Sequence, residues 1–210
     1  MNIIRLLCLL ATLVATAAPS ASVVAQVSAV DQLRIYDKTT YSGRLTERVS
    51  LYDAPNPKTG VYPAPEQYSA DVLFERPDRF KLVLGAGSGS EYRAVADAGI
   101  VRWKDLASGL SGKDTAEQVV DPLAMALMAT AGELSLFAPP KALPTPKGSD
   151  VSGAHLVPKT YGSGVESATA WFRGGQPIGF EFRLRDGRRV FVSVLSFAQN
   201  VPTKPSDFLL

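Results

Sequence analysis

Residues 70–85 read ADVLFERPDRFKLVLG, and the alternation of this run changes in its middle. In an extended strand successive side chains point to opposite faces, so Val72, Phe74 and Arg76 share one face while Asp71 and Glu75 take the other. An arginine therefore ends an apolar row. Pro77 has no amide hydrogen and biases Arg76 toward extended geometry, after which Phe80, Leu82 and Leu84 resume an apolar row against Lys81. The pattern predicts two strands joined by a short Pro-Asp turn, with one cation at the lip of an apolar face. Arg76 is then either an edge residue whose methylenes lie along apolar surface while its head stays in water, or a polar latch for an element that covers that face.

The chain on either side of this run is also extended. Upstream, residues 42–52 (SGRLTERVSLY) set Leu45, Val49 and Leu51 imperfectly against charges, and 53–65 (DAPNPKTGVYPAP) form a proline-rich loop. Strands so close in sequence are expected to be antiparallel neighbours. Downstream, GAGSGS at 85–90 is a flexible connection and no phosphate cradle. It lacks the third glycine of GxGxxG and any GK[ST], and the EYRAVA that follows is a strand pattern. Asp97-Ala98-Gly99 turns the chain into IVRWK at 100–104, where Ile100 and Arg102 alternate with Val101 and Trp103, a second hairpin.

Further toward the C-terminus, 138–148 (APPKALPTPKG) is a second proline-rich connection, polyproline-like in composition. His155 to Pro158 is short and extended, and Ser167 to Phe172 is a strand closed by Gly174-Gly175-Gln176-Pro177. Phe180, Phe182 and Leu184 alternate with Glu181, Arg183 and Arg185; Asp186-Gly187 predicts a primed hairpin turn, and Val190 to Phe197 returns. One face is apolar and the other wet, as in an antiparallel sheet with one solvated side.

Two stretches predict helices. Residues 27–36 place Val27, Val30, Leu33, Ile35 and Tyr36 at spacings of a short amphipathic helix. Residues 121–132 (DPLAMALMATAG) have Asp121 as N-cap, Pro122 as first helical residue and Gly132 as C-terminal stop, with no charge on any face of the body. A short helix that is apolar all round is either buried core or a cover for something apolar, and it is too short to span a bilayer. Met125 and Met128 are adaptable packing groups within it.

The chain has 210 residues, 46% hydrophobic and 20% charged, enough apolar mass for one globular core. Residues 1–25 stand apart from it. Arg5 precedes an apolar run from Leu6 to Val14, and Val23-Val24-Ala25 before Gln26 fits the small-residue rule of signal peptidase, so an exported mature chain of residues 26–210, a single domain, is expected. Cys8 lies inside the apolar run and is a small hydrophobe there. Cleavage removes the single cysteine and one of 22 basic residues, leaving 21 against 20 acidic. No thiol or cysteine-metal chemistry remains, and near-neutral charge without a basic cluster argues against a nucleic-acid surface.

Catalysis finds little support in the residues. His155 is the single histidine and sits beside Leu156-Val157 in an extended run; no G-x-S-x-G elbow occurs, and the carboxylates are scattered singly. No catalytic residue, metal site or cofactor is expected.

These pieces resemble the LolA family, periplasmic carriers of outer-membrane lipoproteins. ERPDRF at 75–80 after an alternating strand, a turn into a tryptophan-bearing strand at 97–103, the charge-free helix at 122–131, HLVPK at 155–159, RDG at 185–187 and SFAQNVPTKPSDF at 196–208 occur in the same order as in that family. The resemblance departs at GAGSGS, where a tighter turn is usual, and in a family C-terminal stretch that has no counterpart after Leu210. It implies a mainly β, α+β fold: an incomplete antiparallel β-barrel with helices lidding a hydrophobic concave face. Arg76 matches the arginine of the family's xRPxxF motif, which bonds to the lid helix; the residues expected to line cavity and lid are Val72, Phe74, Arg76, Phe80, Leu82, Trp103, Leu123, Met125, Leu127, Met128, Phe180, Phe182 and Leu184. It further implies a periplasmic monomer with lipid or lipoprotein acyl chains as cargo, and an inner-membrane donor complex and an outer-membrane acceptor as partners. The alternative is a cell-envelope interaction or sensing module of the same fold with a self-filled core.

Overall fold

A computed structural model of the chain describes residues 28–115, 137–145, 149–159 and 164–210. Helix α1 (Ala29–Thr39) begins at Ser28, whose hydroxyl oxygen accepts from the Asp31 amide at 3.2 Å, with Asp31 in the first turn and Lys38 in the last, both favourable to the helix dipole. Its buried face is Ala29, Gln32, Leu33 and Tyr36. Ile35, expected on that face, is 51% exposed, because it is offset by two and one positions from Leu33 and Tyr36 and falls on the opposite side.

Eleven strands follow among the described residues: β1 (Ser42–Tyr52), β2 (Glu66–Glu75), β3 (Arg79–Leu84), β4 (Tyr92–Asp97), β5 (Ile100–Asp105), β6 (Ser111–Thr115), β7 (Lys141–Ala142), β8 (Val151–Leu156), β9 (Val165–Arg173), β10 (Gln176–Leu184) and β11 (Arg189–Gln199). They form one antiparallel sheet in the order β6-β5-β4-β3-β2-β1-β11-β10-β9-β8-β7. Two meanders are thus joined where β1 pairs with β11. The sheet is an open, incomplete barrel.

The opening stretch behaves as its alternation predicts. Phe74 pairs with Phe80, Val72 with Leu82 and Ala70 with Leu84 across the β2–β3 hairpin, and all six face inward. The Arg76–Pro77 peptide at its turn is cis. Ala98 and Gly99 both have positive φ, so the β4–β5 turn is of the primed two-residue kind. The 185–187 turn is not. There Gly187, with φ +86, donates its amide to the Leu184 carbonyl at 3.0 Å, closing a three-residue loop whose last residue alone is left-handed.

Two further expectations shift. The proline-rich 138–148 connection supplies β7, two residues pairing with Ala154 and His155, since its non-proline residues keep free amides. Gln176 and Pro177, expected in a turn, belong to β10, where a register shift between Pro177 and Gly179 accommodates the missing amide. The expected helix at 121–132 lies outside the described residues.

The outer face is not uniformly wet. Leu73 and Val95 are buried under Phe208 and Val201, in a C-terminal segment that turns in a short 3-10 helix, Pro205–Phe208. Lys81 Nζ donates to the Leu209 carbonyl at 2.8 Å and the Thr203 hydroxyl to Glu75 Oε2 at 2.6 Å, fastening this strap across β2, β3 and β4.

Candidate functional site

The inner face is a continuous apolar surface built by register. From β5 inward it presents Val101 and Trp103, Ala94 and Ala96, Phe80, Leu82 and Leu84, Val72 and Phe74, Leu45 and Val49, Val190 and Val192, Phe180, Phe182 and Leu184, Ala168, Ala170 and Phe172, and finally Ala154 and Leu156. Of the residues expected from sequence to line a cavity, Val72, Phe74, Leu82, Phe180, Phe182 and Leu184 are buried in this cluster, while Phe80 and Trp103 are half-buried at its flank. Trp103 stacks on Tyr92 with ring centroids 6.2 Å apart. Leu123, Met125, Leu127 and Met128 lie outside the described residues.

Helix α1 crosses this surface as a chord. Near its start Gln32 Nε2 donates to the Ser152 hydroxyl of β8 at 3.1 Å. Near its end the Tyr36 ring meets Phe74 of β2 edge-on, with centroids 6.4 Å apart, and Phe197 of β11 at 5.5 Å. One short helix therefore touches strands from both meanders.

Its C-terminal end is held by polar groups. Arg76 Nε donates to the Thr40 carbonyl at 2.7 Å, and the Arg76 amide donates to the Tyr41 carbonyl at 2.8 Å. The guanidinium carbon lies 5.6 Å from the Tyr36 ring centroid and 5.5 Å from that of Phe74, so the cation sits beside an edge-on aromatic pair and contacts both rings. Gln199 Nε2 donates to the Thr40 hydroxyl at 2.7 Å, and Asn200 Nδ2 to the Thr39 carbonyl at 3.3 Å. A helix end leaves carbonyls without intrahelical partners and carries negative partial charge, which is what the Arg76 and Asn200 donors meet. Arg76 thus reaches the end of α1; the 121–132 stretch, to which the resemblance would tie it, lies outside the described residues.

One inner-face residue escaped the sequence reading. Glu47 has no exposed surface and stands in the row of Leu45 and Val49, opposite Ala70, just after a register shift against β11. Strict alternation from Leu45 to Leu51 puts Glu47 on the apolar face, so the signal was present as a single charge in an apolar row. Tyr36 registers it: burial pushes the phenol well above its ordinary pKa, Arg76 draws it down and Glu47 pushes it up again. His155 is half-buried on β8, paired with Lys141 and Thr169, in an ordinary ladder position. The geometry offers a large apolar surface with a few polar groups around its helical cover.

No protein-family model and no curated protein matches the sequence. Solved structures do match in fold. A LolA superfamily protein from Nitrosomonas europaea superimposes with a TM-score of 0.51 over 88% of this chain and 98% of its own, at 12% identity. A DUF1329 family protein from Desulfovibrio piger gives 0.49 over 86% of this chain and 95% of its own, at 10% identity. MucB gives 0.44 over 86% of this chain and 61% of its own, at 10% identity. The fold is LolA-like.

Proposed function

We propose that the protein is an exported binder of acyl chains, a carrier of lipid or lipoprotein within the periplasm, which takes its cargo against the inner face of the half-barrel. The observation that carries this reading is the way α1 meets that face: an apolar surface spanning β5 to β8 is crossed by a short helix whose two ends are fastened by hydrogen bonds. Such a cover can part from the surface without unravelling the sheet. The LolA-like fold supports the same reading.

Energetics explain why a polar fastening suits a carrier. Burying about 15 methylenes of one acyl chain at ~0.8 kcal/mol each gives a gross ~12 kcal/mol, so a cavity that only attracts releases its load poorly. A closed state that regains hydrogen bonds competes with the cargo. Arg76 on the Thr40 carbonyl is such a competitor: opening breaks the bond and closing restores it. Residues 1–25, with their leader-like pattern, supply export, and the donor and acceptor of the cargo are membrane-bound partners on this reading.

A second reading, an envelope module with a self-filled core, is favoured by one observation: Phe172, Phe180 and Phe182 have no exposed surface, so the inner face is already covered. Mass spectrometry of organic extracts from natively purified protein, together with uptake of a fluorescent fatty acid, separates the two. Co-purified lipid and saturable uptake are the expected results. Repeated absence of lipid with no uptake overturns the carrier reading and leaves the filled core.

A further inference from the structure

On the outer side of β4 to β6 the register gathers cations. Val101, Trp103, Ala94 and Ala96 face inward, so alternation turns Arg93, Arg102 and Lys104 outward, and Gly112 against the Trp103 ring does the same for Lys113. Lys104 then lies beside Arg93, and Arg102 beside Lys113. Arg93 is ion-paired with Glu91, whereas Arg102, Lys104 and Lys113 are exposed and make no ion pair among the described residues. The chain holds 22 basic and 20 acidic residues, so this grouping comes from placement rather than from a basic composition.

The hairpin that carries these cations ends in leucines. Asp105 N donates to the Leu110 carbonyl and Leu106 N to the Glu91 carbonyl, both at 2.9 Å, and Gly109 takes φ +71 to close the turn. Asp105, a carboxylate at the neck of the tip, is engaged by the turn itself: the Ser108 hydroxyl donates to it at 2.6 Å and the Ala107 amide at 2.9 Å, bonds that hold its pKa below the ordinary value. Leu106 is 42% exposed and Leu110 62%. Leu106 continues the outward row of Arg102 and Lys104, while Leu110, opposite Asp105, continues the inward row of Trp103 and Gly112. The tip is therefore apolar on both sides.

We propose that the β5–β6 hairpin docks on an anionic lipid surface, its leucine tip entering the headgroup layer while Arg102, Lys104 and Lys113 meet lipid phosphates. Two observations select that partner. Exposed cations without ion pairs complement negative headgroups, each adding to the attraction within a Debye length of the surface. Leucines on both sides of one tip suit a layer that the tip can enter, whereas a protein surface laid against the hairpin covers one side and leaves the other in water. Long side-chain stems let the cationic heads reach the phosphates from strand positions behind the tip. Docking needs no cargo, so it goes beyond the acyl-chain reading.

The test is co-sedimentation of residues 26–210, which omit the apolar run 6–14 and contain all of the described fold, with vesicles of phosphatidylcholine alone and of phosphatidylcholine mixed equally with phosphatidylglycerol. Binding to the anionic vesicles, weakening as salt rises, is expected, with none to the neutral ones. Arg102→Gln, Lys104→Gln and Lys113→Gln together should weaken it on the order of a hundredfold, from about fivefold per cation, and Leu106→Ser with Leu110→Ser about tenfold. A polarity-sensitive dye on Ala107→Cys should shift to the blue on anionic vesicles. The same dye on Asp78→Cys, exposed at the opposite end of the β3–β4 ladder, should not. No binding to anionic vesicles, equal binding to neutral ones, unchanged binding of the triple glutamine variant, or a dye that shifts at 78 and not at 107 each overturn the proposal. The triple variant should keep wild-type uptake of fluorescent fatty acid, so docking and acyl-chain binding fail separately.

Discussion

At the residue scale the functional reading rests on a cluster around the end of α1: Arg76, Tyr36, Thr40 and Phe74. Arg76→Leu removes the bond to the Thr40 carbonyl and adds apolar surface, so release of a bound fluorescent acyl ligand should slow by about tenfold, the equivalent of one net hydrogen bond to a charged group. Unchanged or faster release from the folded variant would return Arg76 to a snorkelling edge residue. Gly43 shows how tightly the cluster is packed. It pairs with Phe74, and a Cβ built there would lie 2.6 Å from the Phe74 ring and 3.0 Å from Phe197. Gly43→Ala should therefore cost about 1–3 kcal/mol in urea unfolding, and Phe74→Leu in the same chain should recover part of that loss. Tyr36 adds a pH dependence. Its folded pKa is raised above the ordinary 10.0, so its contribution is complete below pH 10 and is lost as pH climbs toward the folded value. In that alkaline window wild-type stability should fall by up to about 1.4 kcal/mol per pH unit from this residue, and Tyr36→Phe should flatten that part of the curve.

At the element scale the C-terminal strap explains why β2 and β4 do not show a clean wet outer face. Leu73 and Val95 alternate with inward Val72, Phe74, Ala94 and Ala96, and they stay out of water only because Phe208 lies over them. Phe208→Ala should cost about 3 kcal/mol, at the lower end for a buried phenylalanine because the site borders solvent. A melt that shifts by less than a degree would mean that the strap is not part of the cooperative fold. Amphipathic α1 gains little from its own propensity at this length; its place is set by Leu33 and Tyr36 packing on the sheet and by its fastened ends.

At the scale of the whole molecule two meanders meet at the β1–β11 ladder and again through α1, which bonds β8 at one end and the β2–β3 turn at the other. If acyl chains reach the inner face by displacement of this chord, holding it in place should close the protein. Residues 26–210 contain no cysteine, so a chain of those residues gives a clean background for Gln32→Cys with Ser152→Cys, bridged by a short bismaleimide. Uptake of fluorescent fatty acid should vanish in the bridged protein and persist in the unbridged double variant. Equal uptake in both would show that cargo enters by another route.

Much of this was legible in the residues because it is local. The period-2 rows at 70–85 and 180–184 named their inward side chains, and the turn chemistry of 97–99 named a hairpin, since alternation and φ preference act between neighbours in the chain. The short reach of those rules also marks where they stopped. Pairing of β1 with β11 brings together residues about 150 positions apart and sets Tyr52 beside Arg189; the β1–β2 ladder carries Arg76 to Thr40, and the β1–β11 ladder brings Gln199 to the same residue. Glu47 was written into an apolar row, but only the packed sheet makes it buried, and Leu73 and Val95 are apolar on the outer face because a distant tail covers them. The chain by itself determined most of the strands, the 97–99 turn and the identity of the inner face; which strands adjoin, what lies across them and which polar groups end up in apolar surroundings were decided by long-range packing, because burial is a property of the assembled molecule and not of any window of sequence.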